Sequence, residues 1–115
     1  MKNNKIKIIK AEENYLKFSD GSDIRAYHYR DCCEHNYADF KQIDDLSWDW
    51  EFEHPILFES ANGGFRFGNS NKMVWVPCYS EQDGYYSSDI DVDYFDAEDE
   101  RFDHYNFECV VGWGH

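Results

Sequence analysis

Seven carboxylates stand in the fourteen residues from Ser87 to Glu100, SSDIDVDYFDAEDE, and no base accompanies them. Side chains of this type and density can hold a hard cation, work as acid–base pairs, or attract a basic partner. Asp89, Asp91 and Asp93, with Glu100 in twelfth place, copy the spacing of an EF-hand loop. The sixth place, where such a loop needs glycine for its sharp turn, is Tyr94. A looser surface cation site remains an alternative. Ile90, Val92 and Tyr94 alternate with the three aspartates, the period of a strand with one buried and one charged face. Carboxylates two residues apart on such a face stand roughly 7 Å apart. A row of this kind repels itself unless the fold or a partner relieves it.

A regular row of carboxylates on a rigid strand resembles the phosphates of a nucleic-acid strand. The expectation is a basic protein groove, one that ordinarily holds nucleic acid, contacted by Asp89, Asp91, Asp93, Asp96, Glu98, Asp99 and Glu100. Asp49, Glu51 and Glu53 are expected to supply a second row. Replacing Asp89, Asp91 and Asp93 by Asn is expected to preserve the fold and weaken the contact. The competing interpretation is a solvated face on a soluble domain.

A second group is His28, Cys32, Cys33 and His35, with Cys78 and Cys109 on distant segments. Zinc sites use these residue types, usually as two closely spaced pairs, and no Cys-x-x-Cys pair exists here. A zinc-stabilised module using His28, Cys32 and Cys33 is the first alternative. The competing interpretation takes Cys33, Cys78 and Cys109 as small buried hydrophobes and His28 as a hydrogen-bonded core residue. A small-molecule enzyme is the second alternative. It needs a Cys–His or carboxylate pair that the fold would have to assemble, and among 24 acids a chance pair is uninformative. No phosphate-cradling or dinucleotide-binding glycine pattern is present, and no cofactor is expected.

The elements that must position these groups belong to a chain of 115 residues, expected to form one domain over 1–115. Aromatic residues make up 19% of it, which favours pleated, half-buried surfaces. Formal net charge is −13 and unevenly spread: residues 1–10 hold four lysines and no acid, residues 81–103 ten acids and only Arg101. Such a balance argues against direct contact with a phosphate backbone. No apolar signal segment or run of membrane-spanning length occurs, so a cytoplasmic protein with reduced thiols and no membrane contact is expected.

Short strands are predicted at 5–10 and 14–19. An Asp-Gly turn leads to DIRAYHYR, with Ile24, Ala26 and His28 on one face. Cys33, Tyr37 and Phe40 recur at helical spacing, which predicts a short helix near residues 32–42 that Asp31 would cap. LSWDWEFEH alternates as a strand, though Ile43, Leu46 and Trp50 also fit a helical stripe. PILFES and FRFG flank a turn, KMVWVPCY is apolar on both faces and so central, and Pro77 marks a bulge or edge near its end. GYYSSDIDVDYF and HYNFECVVGW complete the set. The predicted class is mainly β, or α+β with a dominant sheet: a curved antiparallel meander carrying one short helix.

The segment from His28 to Tyr37, with Asp31-Cys32-Cys33-Glu34 at its centre, resembles an uncharacterised family of small phage and bacterial proteins. That family carries Asp-Cys-Cys-Glu after a histidine and a Gly-Tyr-Tyr-Ser motif, here Gly84-Tyr85-Tyr86-Ser87. Pro55-Ile56 and Glu59 stand where the family has a similar apolar-then-acidic stretch, and the likeness covers roughly residues 14–94. The hairpin FRFGNSNKMVWV and the acidic run after Ser88 depart from the pattern. The resemblance implies a phage or mobile-element setting and no particular activity. In that setting a small acidic protein that inhibits host defence machinery is a natural expectation.

Overall fold

The computed structural model describes residues 5–28, 35–82 and 87–112. The strands are β1 (Ile8–Glu12), β2 (Tyr15–Phe18), β3 (Asp23–Tyr27), β4 (His35–Ala38), β5 (Leu57–Ala61), β6 (Gly64–Asn69), β7 (Lys72–Glu81), β8 (Asp89–Phe95), β9 (Arg101–Glu108) and β10 (Val110–Gly112). They form two five-stranded sheets, one ordered β1-β2-β3-β8-β9, the other β10-β7-β6-β5 with β4 also on β7. The mainly β class is as predicted. All pairings between these strands are antiparallel except that of β10 with β7, which is parallel.

The period-two pattern explains how the first sheet turns one face inward. Leu16, Phe18, Ile24, Ala26, Ile90, Val92 and Tyr94 are buried in it. From the second sheet come Phe65, Phe67, Val74, Val76 and Cys78, and the buried apolar residues make one cluster. Aromatic rings join the sheets: Phe65 stacks on Phe107 at 4.8 Å and 9°, and Phe18 meets Phe67 edge-on at 6.1 Å. Such pairs add to the burial of apolar area that drives the sheets together. Cys78 and Cys109 are buried free thiols beside each other. Hydrogen bonding to Cys109, with burial, pushes the Cys78 thiol pKa up, which fits an inert core pair.

The predicted helix near residues 32–42 is not formed in its described part. His35–Ala38 is a strand on β7, and only Phe40–Gln42 makes a 3₁₀ turn. The physical reason lies in Asn36 and Ala38, both buried at alternate positions. The Asn36 amide donates to the carbonyls of Ser87 and Asp89, contacts open to an extended segment. Asp31, Cys32 and Cys33 lie outside the described residues. LSWDWEFEH is likewise not a strand. Asp45–Asp49 is a 3₁₀ turn, because the Asp44 side chain accepts from the Leu46 amide and its carbonyl from the Ser47 amide and hydroxyl. Phe52 alone bridges to Ile6, and Asp49, Glu51 and Glu53 form no ordered second row.

β7 is central, as predicted. At Pro77 it exchanges partners: it pairs with β6 up to that residue and with β4 from Cys78 onward. HYNFECVVGW divides after Glu108: β9 completes the first sheet and β10 crosses to the second. Val111 is consequently exposed, while Phe107 and Cys109 are buried. Among the described residues no helix is long and apolar enough to cross a membrane.

Candidate functional site at the acidic end

The acidic strand has the predicted alternation, with a correction to its charged face. β3 and β9 flank β8, and the cross-strand register sets Asp93 opposite Arg25 and His104, and Asp91 opposite Tyr27 and Asn106. The Asp93 side chain is only 8% exposed. Its Oδ1 lies 2.5 Å from His104 Nδ1, and its Oδ2 lies 3.8 Å from Arg101 Nη1. Asp91 accepts from Asn106 Nδ2 at 3.1 Å and lies 3.5 Å from His104 Nε2. Asp89 accepts from the same Asn106 amide at 2.8 Å and from the Ser87 hydroxyl. Those bonds, Ser87 first, hold its pKa below the ordinary carboxylate value. The repulsion inherent in the row is thus relieved within the sheet. Asp93 is an enclosed, partnered acid, while Asp89 and Asp91 remain about one-third exposed at their side chains.

His28 follows β3 with a largely buried ring, its Nδ1 3.7 Å from Asp89 Oδ1. His28 is therefore near a carboxylate of the outer face. Among the described residues no group of three or more His, Cys, Asp or Glu is arranged to hold a metal ion. Cys32 and Cys33 lie outside those residues.

The remaining predicted acids gather where β8 turns into β9. Asp96 organises this turn: its Oδ1 accepts from the amides of Glu98 and Glu100, both at 3.0 Å. Its backbone amide donates to the Glu100 carbonyl at 2.9 Å. The arrangement leaves Glu98, Asp99 and Glu100 exposed. Arg25 ties the turn to the sheet. It donates to both Asp23 oxygens at 3.0 and 3.2 Å and to Asp99, and its guanidinium carbon lies 3.8 Å from the centre of the Phe95 ring. Hydrogen bonding to Asp23 is the main reason its pKa is raised further.

Between this turn, the β2–β3 turn and the His54-Pro55 segment lies a cleft of about 510 Å³. The two turns abut: a Cβ at Gly21, whose φ is +94°, would lie 3.8 Å from that of Ala97. On the cleft floor the Tyr94 hydroxyl bonds His54 Nδ1, and His54 Nε2 lies 2.8 Å from Asp20 Oδ2. This chain is satisfied when the phenol donates to Nδ1 and Nε2–H donates to Asp20. Burial raises the Tyr94 pKa, which keeps it a phenol and makes it a poor nucleophile. At Asp20, burial works upward, but hydrogen bonds from Ser22 and His54 outweigh it and hold the carboxyl below its usual value.

Phe102 forms one wall, and a β-bulge puts it there. Tyr94 pairs with Asp103 and Phe95 with Arg101, so Phe102 is the extra residue. Its ring stands edge-on to Tyr94 at 5.9 Å and is 62% exposed. Ala97 and Pro55 complete the apolar surface, Asp20, Asp96 and Glu98 bring carboxylates, and among the described residues no Lys or Arg lines the cleft. A second cleft of about 490 Å³, on the other side of His54-Pro55, has mixed charge from Lys5, Lys72, Glu51 and Glu53. Its Asn69 is already committed to the Glu53 backbone at 2.9 and 2.8 Å.

Of the predicted contact residues, the fold brings Asp96 and Glu98 to one cleft and sets Asp99 and Glu100 beside it. It leaves Asp89 and Asp91 along the sheet and encloses Asp93. Sequence reasoning missed Asp20, His54 and Phe102. Only the Asp-Gly turn holding Asp20 carried a local signal, and nothing in the sequence joined it to residues 54 and 102.

One family model, described as a domain of unknown function (DUF7448), matches residues 2–92. The match ends inside β8, so the acidic turn, β9 and β10 lie beyond the matched residues. No curated protein and no solved structure matches the chain.

Proposed function

The chain belongs to the DUF7448 family, whose description names no activity, and from its own surface we propose that it is a binding protein whose acidic end engages a basic face of another protein. The observation that carries this reading is the β8–β9 turn, where Asp96, Glu98, Asp99 and Glu100 fall within five residues and Arg25 neutralises only Asp99. Asp20 stands on the adjoining turn. Concentrated exposed charge speeds encounter with an oppositely charged surface and selects against acidic competitors.

The partner in this reading is a nucleic-acid-handling protein of the cell in which the chain acts. The acidic end occupies a Lys/Arg-rich surface that otherwise holds phosphates, as an inhibitor or mimic. The setting is the cytoplasm of a host carrying a phage or mobile element. Asp89 and Asp91 extend the contact along the sheet. Asp93 plays no part in it, since His104 and Arg101 already hold it.

The test is affinity capture from host lysate at low and at high salt, with the chain and with its Glu98→Gln/Glu100→Gln variant, followed by competition with duplex DNA. The expected result is a nucleic-acid-binding protein retained at low salt, displaced by DNA, and lost from the variant. Retention that is indifferent to salt and to both substitutions overturns the proposal. So does a partner that binds the chain and DNA simultaneously.

A further inference from the structure

We infer that the cleft beneath Phe102 is a receptor for a single arginine side chain of the basic partner, an inference that rests on the reading above and sharpens it. The cleft joins two features that a guanidinium satisfies together and other groups satisfy less well. One is an exposed aromatic face, Phe102, held by the bulge and backed by Tyr94. The other is a pair of carboxylates at the rim. Asp96 uses one oxygen for the turn amides, and the Glu98 carboxylate has no hydrogen bond or ion pair among the described residues. Asp20 is committed to His54 and Ser22 and contributes field more than a bond.

A guanidinium is planar, permanently charged and weakly hydrated, so it stacks on a ring while donating sideways to carboxylates. An ammonium is compact and strongly hydrated and gains less from an aromatic wall. A neutral or anionic ligand meets three carboxylates that no lysine or arginine among the described lining residues balances.

The molecule contains its own precedent a few residues away. Arg25 lies over Phe95 at 3.8 Å between the carboxylates of Asp23 and Asp99. The Phe102 cleft repeats these parts, a phenyl ring and two acids of the same turn region, and no arginine of the described chain fills it. Charge complementarity, aromatic geometry and the internal example therefore name the same occupant.

The experiment is a titration of the full-length ¹⁵N-labelled chain with three blocked tripeptides, Gly-Arg-Gly, Gly-Lys-Gly and Gly-citrulline-Gly. Citrulline keeps the planar shape and removes the charge. The expected result is saturable shifts at the amides of His54, Ala97, Glu98 and Phe102 with the arginine peptide. Citrulline should bind at least about tenfold more weakly, with lysine between them. Phe102→Ala and Glu98→Gln, both at exposed positions that the fold does not need, should each weaken arginine binding several-fold. Equal binding of citrulline, or shifts scattered without saturation over acids such as Asp49 and Glu59, overturns the inference. A low-salt dimer of the chain that the arginine peptide disperses also overturns it, by assigning the cleft to a second copy. Loss of arginine binding in Phe102→Ala with partner capture unchanged overturns the receptor and leaves the acidic-end reading intact. Capture indifferent to Glu98→Gln/Glu100→Gln overturns the acidic-end reading itself.

Discussion

Asp93 and Glu98 are both carboxylates of one acidic run, and the fold assigns them opposite tasks. Asp93 is enclosed by His104 and Arg101; Glu98 projects from a turn. Hydrogen bonds to a charged group contribute about 1.5–3 kcal/mol, whereas exposed ion pairs contribute roughly 0–1 kcal/mol. Asp93→Asn should therefore lower stability by about 1–3 kcal/mol in urea unfolding. Glu98→Gln should leave it within about 0.5 kcal/mol. An Asp93→Asn protein as stable as the parent would mean that the His104 contact is not formed in solution. The triple Asn replacement at 89, 91 and 93 is thus a poor probe of binding, because it also perturbs the sheet. The alternation at Ile90, Val92 and Tyr94 made the two faces legible. The fate of each acid was not, because the cross-strand partners that decide it, such as His104 and Asn106, are set by a pairing register that a bulge at Phe102 shifts.

At the scale of elements, β9 illustrates what a family match can leave outside a structure that needs it. It lies beyond the matched residues, yet Phe107 is buried and stacked on Phe65 across the two sheets. Phe107→Ala should cost about 3–5 kcal/mol, the usual penalty for emptying a buried aromatic site. Measured by denaturant midpoint, a loss under about 1 kcal/mol would show that the inter-sheet contact is weak. Strands with strict alternation, β2, β3 and β8, were legible because burial of one face enforces period two. The segments at 35–42 and 45–49 were not. In the first, a vacant edge of β7 claimed residues whose spacing also suits a helix. In the second, Asp44 bonded its own neighbours and overrode an alternating pattern whose Trp48 is exposed.

For the whole molecule, a formal charge of −13 on a 115-residue chain sets two opposing responses to salt. Self-repulsion among carboxylates destabilises the compact state. Screening shortens from about 10 Å at 0.1 M salt to about 3 Å at 1 M. Melting temperature should therefore rise with sodium chloride, by roughly 4 °C for each kcal/mol of repulsion relieved. Association with a basic partner should weaken over the same range. A melting temperature that falls with salt would mean that internal ion pairs, such as those of Arg25 and His104, dominate over repulsion.

The cross-strand partners of the three aspartates also bear on how the β8–β9 hairpin finds its alignment. A slip of two residues would keep Ile90, Val92 and Tyr94 on the inner side, so hydrophobic patterning alone cannot reject it. In one such slip Asp91 would meet Glu108, and Asp93 would give up His104 for Asn106. The cross-strand charges oppose that slip alongside the Asp96 turn and the stacking of Phe107 on Phe65, and a chain with His104 replaced by Gln should sample misaligned hairpins more often during refolding even where its final structure is unchanged.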